Sequence, residues 1–253
     1  MKSIGIDIGT TTISFAVTDN DTLAVIQKYT IASAGFIHTE NPWERIQDTD
    51  VILSRIRPVL NDILDTYSDI SAIGITSQMH GIVYTDRSGR AVSPLYTWQD
   101  GRGSLPEFGG RSICRILSDD TGIKTASGYG LVTHLFNVRK GLVPADASTF
   151  CTIGDYLGMV LTGRKSPLVH ISQAAGMGLF ELYKLIETGT GSRKTKLIAS
   201  GNAVRKNSIF QQILAERFHM PLTIGQNEEE AAYGASLCAL YSSGQLSKNQ
   251  LPV

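Results

Sequence analysis

The sequence predicts an α/β layered fold, on three observations. Apolar strand-like runs open the chain around a Gly-Thr-Thr turn. A long amphipathic stretch follows and leads into another strand. Further strand and helix units then continue to a second strand-helix-strand-helix block. The fold is not doubly wound in the dinucleotide sense. The first turn lacks G-x-G-x-x-G and leads into a strand rather than a helix.

Each element has its own signal. "SIGIDIG" and "TISFAVTDND" read as strands flanking the turn, and Asp-Asn-Asp closes the second with turn chemistry. "TLAVIQKYTIAS" supplies a third strand, so an antiparallel meander is expected. In "DTDVILSRIRPVLNDILDTYSDI", Ile52, Ile56, Leu60, Ile63, Leu64 and Tyr67 share one helical face. Pro58 is expected to kink or divide that helix. "SAIGITS" is expected to be a buried strand ending at Gln78-Met79-His80-Gly81, and "GIVYTDRSGRAVSPLYTW" a hairpin running into "WQDGRG".

Between Gly109 and Thr149 the clearest helix is "YGLVTHLFNVRKGL". "ASTFCTIGDYLGMVLTG" predicts a short strand, then a helix stopped by Gly163. Beyond Phe180, "ELYKLIE" is helical, "TGTGSRKT" a turn, and "KLIASGN" a strand entering a glycine turn. "SIFQQILAERFHM" is an amphipathic helix with Ile209, Ile213 and Phe218 near one face. "PLTIGQ" is a short strand. "EEEAAYGASLCALYSSG" is a helix rich in small residues, suited to close packing on a neighbour.

The bulk numbers narrow the function. A chain of 253 residues can bury a core without disulfide or metal staples. The 23 basic and 23 acidic residues balance, so nothing electrostatic points to nucleic acid or to an anionic membrane as partner. The 3 cysteines lie far apart with no zinc spacing, which fits a reducing, cytoplasmic setting. "MKSIGIDIG" does not read as a signal peptide, and no apolar run approaches the roughly 18 residues of a membrane span.

Chemistry is expected first at "GIDIGTTT". An aspartate at a strand end beside a glycine and hydroxyl-rich turn suits a magnesium–phosphate complex. The carboxylate holds the hard cation, commonly through water, while turn amides and hydroxyls face phosphates. The same residues also suit a hairpin in which Asp7 and the threonines bond locally. A second concentration is Gln78, His80, Trp98, Gln99, Asp100 and Arg102, planar and charged groups that a polyol needs, with a Trp face for its C–H side. Taken alone, these too suit a turn, with Asp100 capping Gly101 and Arg102 and with His80 as a core histidine.

"GIDIGTTTISFAVTD" resembles the first phosphate motif of the actin-like ATPase superfamily, and in particular of the FGGY carbohydrate kinases. That resemblance implies a ribonuclease H-like N-terminal domain and transfer of the γ-phosphoryl group of ATP to a sugar hydroxyl. It implies that Asp7 binds Mg²⁺ and that Gly9, Thr10, Thr11 and Thr12 approach the phosphates. "SQMHG" followed by "TWQDGR" is similar to the sugar site of the family's ketose-kinase branch, which implies a sedoheptulose-like substrate. By the same resemblance Gln78, Met79, His80, Trp98, Asp100 and Arg102 line the sugar pocket. "TIGDYLGMVLTG" matches the family's "DYL…LTG" helix, with Asp155 as a positional match only. "HISQAAG" departs from the commoner "TDxSxAS", with His170 and Gln173 in that loop.

"LIASGNAVRKN" and "EEEAAYGASLCAL" resemble the adenosine motif. They imply that Gly201 and Asn202 contact the nucleotide, with Arg205 and Asn207 near the adenine. A helix start capped by Asn202 would look the same locally. The family's aspartate base and second phosphate turn should lie between "GMGLF" and "LIASGN". That interval, "ELYKLIETGTGSRKTK", holds no aspartate, and none follows Asp155, so the catalytic base is unassigned.

The expected organisation is an N-terminal ribonuclease H-like domain over residues 1–180 and an incomplete second domain of the same type over 181–253. A middle section of the family is missing between them. A shortened form of an ordinary kinase, a natural internal deletion, and a sugar- or nucleotide-binding protein derived from a kinase all fit. Residues 181–253 are expected either to dock on the first domain or to fold loosely.

Overall fold

The computed structural model describes residues 1–122, 124–168, 197–199, 205, 208–225, 229–247 and 250. Its centre is a four-stranded sheet ordered β3-β2-β1-β5. β1 (Lys2–Ile8), β2 (Thr12–Asp19) and β3 (Val25–Ala32) form the expected antiparallel meander. β5 (Ile70–Ser77) then lies parallel to β1, which needs a crossover, and α1 (Thr49–Thr66) supplies it.

Strand alternation sorts the two faces. Ile4, Ile6 and Ile8 of β1 join Ile13, Phe15 and Val17 of β2 in one buried cluster. Ile52, Leu53, Ile56, Leu60 and Ile63 of α1 enter the same cluster, as do Ile153, Tyr156, Leu157 and Met159 of α4 (Ile153–Thr162). The intervening residues of β1, Ser3, Gly5 and Asp7, point to the other face. There α6 (Glu230–Ser242) packs across β1, β2 and β5.

Gly5 and Gly74 are register partners on β1 and β5. A Cβ at Gly5 would lie 1.6 Å from the Ala232 carbonyl oxygen, and one at Gly74 would lie 1.8 Å from that of Ala235. Glycine at both positions lets the helix backbone lie directly on the sheet. A buried Thr18 Oγ1–Ser236 Oγ hydrogen bond of 2.7 Å pins the contact. The last helix of the 181–253 block is thus docked on the first sheet.

α1 is one uninterrupted helix, capped by Asp48, whose carboxylate accepts from the amides of Asp50 and Val51. Of the two outcomes expected at Pro58, a kink or a division, the division does not occur. Pro58 is exposed, so water can reach the carbonyl that lost its partner. β5 is also less buried than expected. Most of it is half-covered, because β1 is its only strand neighbour among the described residues.

The expected hairpin after Gly81 forms through the antiparallel bridges Ile82–Tyr96 and Thr85–Ala91 and the hydrogen bonds from the Val92 amide to the Tyr84 carbonyl and from the Asp86 amide to the Arg90 carbonyl. Its arms also pair with more distant strands. β6 (Val83–Thr85) joins β8 (Thr149–Cys151), and β7 (Leu95–Tyr96) joins β4 (Ile46–Gln47). A side cluster forms where α2 (Ile113–Thr121) meets α3 (Gly130–Lys140) through Ile113, Ile116, Val132 and Phe136.

Near the end, β9 (Leu197–Ala199) and β10 (Leu222–Ile224) form a short parallel pair, with α5 (Ser208–Phe218) between them in sequence. The side chains of Ile209 and Ile213, the helical "ELYKLIE" and the turn "TGTGSRKT" lie outside the described residues.

Candidate active site

β1 and β5 run parallel, so their C-terminal ends lie side by side, the usual place for ligands on such sheets. β1 ends in the turn Gly9–Thr12, and β5 ends in Gln78-Met79-His80. A hydrogen bond from the Gln78 amide to the Ile8 carbonyl, 2.8 Å, joins the two ends. Gly9 is required by the tightness of its turn, since a Cβ there would lie 2.7 Å from the Thr12 carbonyl oxygen.

Asp7 sits on the α6 face, between Ser14 of β2 and Thr76 of β5. No described residue hydrogen-bonds to its carboxylate. Burial, and secondarily the charge of Glu229, push its pKa above the ordinary carboxylate value. Glu229 precedes α6 and accepts a 2.7 Å bond from Thr30 Oγ1. A half-buried, unpartnered carboxylate beside a second negative charge is a suitable ligand for a hard divalent cation. No group of three or more His, Cys, Asp or Glu side chains suited to a metal exists among the described residues. A cation on Asp7 would therefore draw most of its ligands from water or phosphate, as Mg²⁺ readily does.

Thr11 and Thr12 are exposed at the turn. Thr10 is turned the other way. Its hydroxyl accepts from Trp98 Nε1 at 2.9 Å and donates to Gln78 Oε1 at 3.2 Å. Gln78 Nε2 in turn donates to Gln47 Oε1 at 2.8 Å, and Gln47 Nε2 donates to the Thr10 carbonyl at 2.9 Å. Residue by residue, the sequence did not single out Gln47. It stands in a two-residue strand with no motif around it, and only its zero exposure and these contacts give it weight.

Beside this ring, Met79 is 67% exposed and Trp98 46% exposed. His80 adopts φ 66° and lies against Tyr129, with ring centroids 4.5 Å apart. Burial lowers its pKa, so at neutral pH its imidazole offers one donor and one acceptor. A cavity of about 430 Å³ opens along Gln78, Met79 and His80 and reaches Thr152, Asp155 and Arg164. Asp155 is occupied as a helix cap. Its carboxylate accepts from the Thr152 amide at 3.3 Å and from Thr152 Oγ1 at 2.6 Å, and Thr152 Oγ1 accepts from the Asp155 amide, so the two residues form a capping box.

Asp100 and Arg102 lie beneath the loop rather than on its surface, 0% and 2% exposed. Asp100 Oδ1 accepts from the Arg102 amide and from Arg102 Nε, the latter at 2.6 Å. Asp100 Oδ2 accepts from Arg102 Nη2 and from the Arg45 amide, both at 3.1 Å. Arg102 also donates to Asn137 Oδ1 at 2.7 Å and to Glu44 Oε1 at 3.2 Å. The guanidinium lies over Tyr96, 4.2 Å from the ring centroid, with Trp43 and Phe136 within 6 Å. The pair is satisfied by protein groups. It fixes the backbone that carries Trp98.

Of the residues expected at the nucleotide, Arg205 is ion-paired with Glu230 at the start of α6. Gly201, Asn202 and Asn207 lie outside the described residues, as do His170 and Gln173. No described helix is long and apolar enough to cross a membrane.

The chain is 28% identical over 204 residues to the sedoheptulokinase of Mus musculus, a match covering 70% of this chain and 41% of that protein. It is 31% identical over 104 residues to the xylulose kinase of Staphylococcus xylosus, covering 40% of this chain and 21% of that protein. The ligand-bound xylulose kinase structure from Lactobacillus acidophilus superposes with a TM-score of 0.54 at 18% identity, covering 89% of this chain and 42% of that one. The fold is thus the actin-like, ribonuclease H-like fold of sugar kinases. The chain spans well under half the length of the curated relatives it matches. Residues 3–186 match the family model described as the N-terminal domain of the FGGY family of carbohydrate kinases, and the chain belongs to that family.

Proposed function

We propose that this protein serves the ATP-dependent phosphorylation of a ketose, with a sedoheptulose-like sugar as acceptor and Mg-ATP as donor. The convergence of two strand ends carries the reading: Asp7 and the Gly9–Thr12 turn lie directly beside Gln78–His80, tied by the Thr10–Gln78 hydrogen bond. Asp7 would hold Mg²⁺, which offsets phosphate charge. The Gly9 backbone and the Thr11 and Thr12 hydroxyls meet the phosphates, and Thr10 faces the sugar side. Gln78, Met79, His80 and Trp98 border the sugar, with the indole face against its C–H surface.

Asp100 and Arg102 act through the loop they hold. Gly201, Asn202, Arg205 and Asn207 take the adenosine end. Residues 1–180 form the sugar- and phosphate-binding domain, and 181–253 the remnant of a second domain whose last helix is docked on the first. Free cysteines and balanced charge favour a cytoplasmic protein with small-molecule partners rather than nucleic acid or membrane.

A second reading, binding without turnover, rests on one observation. No aspartate follows Asp155, and the Asp155 carboxylate is committed to its cap. One assay separates the two. Incubate the chain with Mg-ATP and a panel of ketoses, and measure sugar phosphate. Turnover lost in Asp7→Ala establishes the kinase. Saturable sugar binding with no turnover establishes the binding protein, and neither binding nor turnover overturns both.

A further inference from the structure

The ring of hydrogen bonds around Gln47 joins what the proposed function treats as two half-sites, and this inference rests on that reading. Gln47 is fully buried, and its amide is used at both ends. Nε2 donates to the Thr10 carbonyl and, at 3.3 Å, to Ser33 Oγ, while Oε1 accepts from Gln78 Nε2. Ser33 is tied to the same turn through its amide, which donates to the Thr11 carbonyl at 2.9 Å.

The orientation of both amides is forced by this chemistry. The Thr10 carbonyl can only accept, so Nε2 of Gln47 must face it, and Oε1 must then face Gln78. That places the Gln78 amide nitrogen toward Gln47 and its oxygen toward the Thr10 hydroxyl. Turning over Gln47 would set acceptor against acceptor at Thr10 and donor against donor at Gln78, and turning over Gln78 would set acceptor against acceptor at Gln47. The Thr10 hydroxyl, with its one proton given to Gln78, can then only accept, as it does from Trp98 Nε1.

We propose that Gln47 is a positioning residue that couples the phosphate turn to the sugar pocket. A phosphate drawn toward the Gly9–Thr12 turn moves Thr10. Because Thr10 is bonded through its carbonyl to Gln47 and through its hydroxyl to both Gln78 and Trp98, that movement re-aims two sugar-facing groups together. Sugar binding acts back on the turn by the same bonds, as linkage requires. Gln78 keeps one amide hydrogen and one oxygen lone pair beyond this ring for the sugar.

The experiment measures coupling rather than rate. Sedoheptulose affinity is titrated calorimetrically with and without saturating Mg-ADP, in the wild-type chain and in Gln47→Leu, which keeps volume and removes the amide. In the wild type Mg-ADP should tighten sugar binding at least about fivefold, within the usual range for linked sites. In Gln47→Leu that factor should fall to about one, with sugar affinity in the absence of nucleotide changed less than about threefold. A variant that merely loosened the fold would weaken both measurements alike.

Should Gln47→Leu not fold, Thr10→Val breaks the ring at a half-exposed position and should abolish coupling equally. Retention of the wild-type factor in the variant that folds overturns the inference and leaves the proposed function standing. Wild-type binding of both ligands without coupling does the same. Failure of the wild type to bind either ligand overturns the proposed function, and this inference with it.

Discussion

The Gly9–Thr12 turn and the Trp98–Arg102 loop meet at the Trp98–Thr10 hydrogen bond, and an aspartate drawn back from water stands just before the one, Asp7, and within the other, Asp100. Asp7 has no described hydrogen-bond partner, and its pKa is pushed up by burial and by Glu229. Asp100 is buried completely, yet it receives four hydrogen bonds, three of them from Arg102. Burial is therefore not what separates a ligand-facing carboxylate from a structural one. Partner supply is. Asp100 is finished by protein groups, while the Asp7 carboxylate has no hydrogen-bond partner among the described residues.

The largest expected effect tests the finished side. Arg102→Leu strands Asp100 without a counter-charge in the interior. It should cost about 3–5 kcal/mol in denaturant unfolding, as loss of one partner of a buried pair generally does. A loss below about 1 kcal/mol would mean Asp100 is better hydrated than its burial implies.

Asp155 offers an intermediate case, a carboxylate used for capping at the edge of the same cavity. Thr152→Ala should cost about 1 kcal/mol, the ordinary value of an N-cap, with sugar affinity unchanged. Sugar binding that falls with the cap would show that the α4 terminus touches ligand.

The smallest effect should carry the opposite sign. Because the folded pKa of Asp7 lies above its unfolded value, the folded state binds the proton more tightly. The native chain should then lose stability as pH rises from the ordinary carboxylate pKa through the raised one. Asp7→Asn should flatten that stretch of the stability–pH curve and slightly raise Tm at pH 7, while ending Mg-nucleotide binding. A lower Tm in Asp7→Asn would place a hidden partner beside Asp7 and erase the contrast with Asp100.

The element order was legible because its signals are local. The Gly-Thr-Thr turn, the apolar face of α1, Asp48 ahead of it and Gly163 after α4 each act within a few residues. Strand partners were not legible. Val83–Thr85 and Leu95–Tyr96 belong to the arms of the expected hairpin, but they also pair with strands far away in sequence, which no short-range pattern encodes. Pro58 leaves α1 undivided because a proline's effect depends on the face it occupies. At the site, residue type announced chemistry but not direction. Asp100 and Arg102 carry the groups a sugar needs, and only the packing of Glu44, Asn137 and Tyr96 reveals that those groups are engaged. Gln47 had no motif to announce it.

The glycine pair under α6 has a consequence for the order of folding. Gly5 lies on β1, and the carbonyl that seats on it belongs to Ala232, on a helix far later in the sequence. Until residues 230–242 have been made, the glycine face of the central sheet has no α6 to cover it. Contacts of such sequence separation form late and slowly. The sheet that presents Asp7 is thus closed by a segment made long after Asp7 itself. A ribosome stalled before residue 230 would hold a nascent chain with the Gly9–Thr12 turn made but the layer behind it missing.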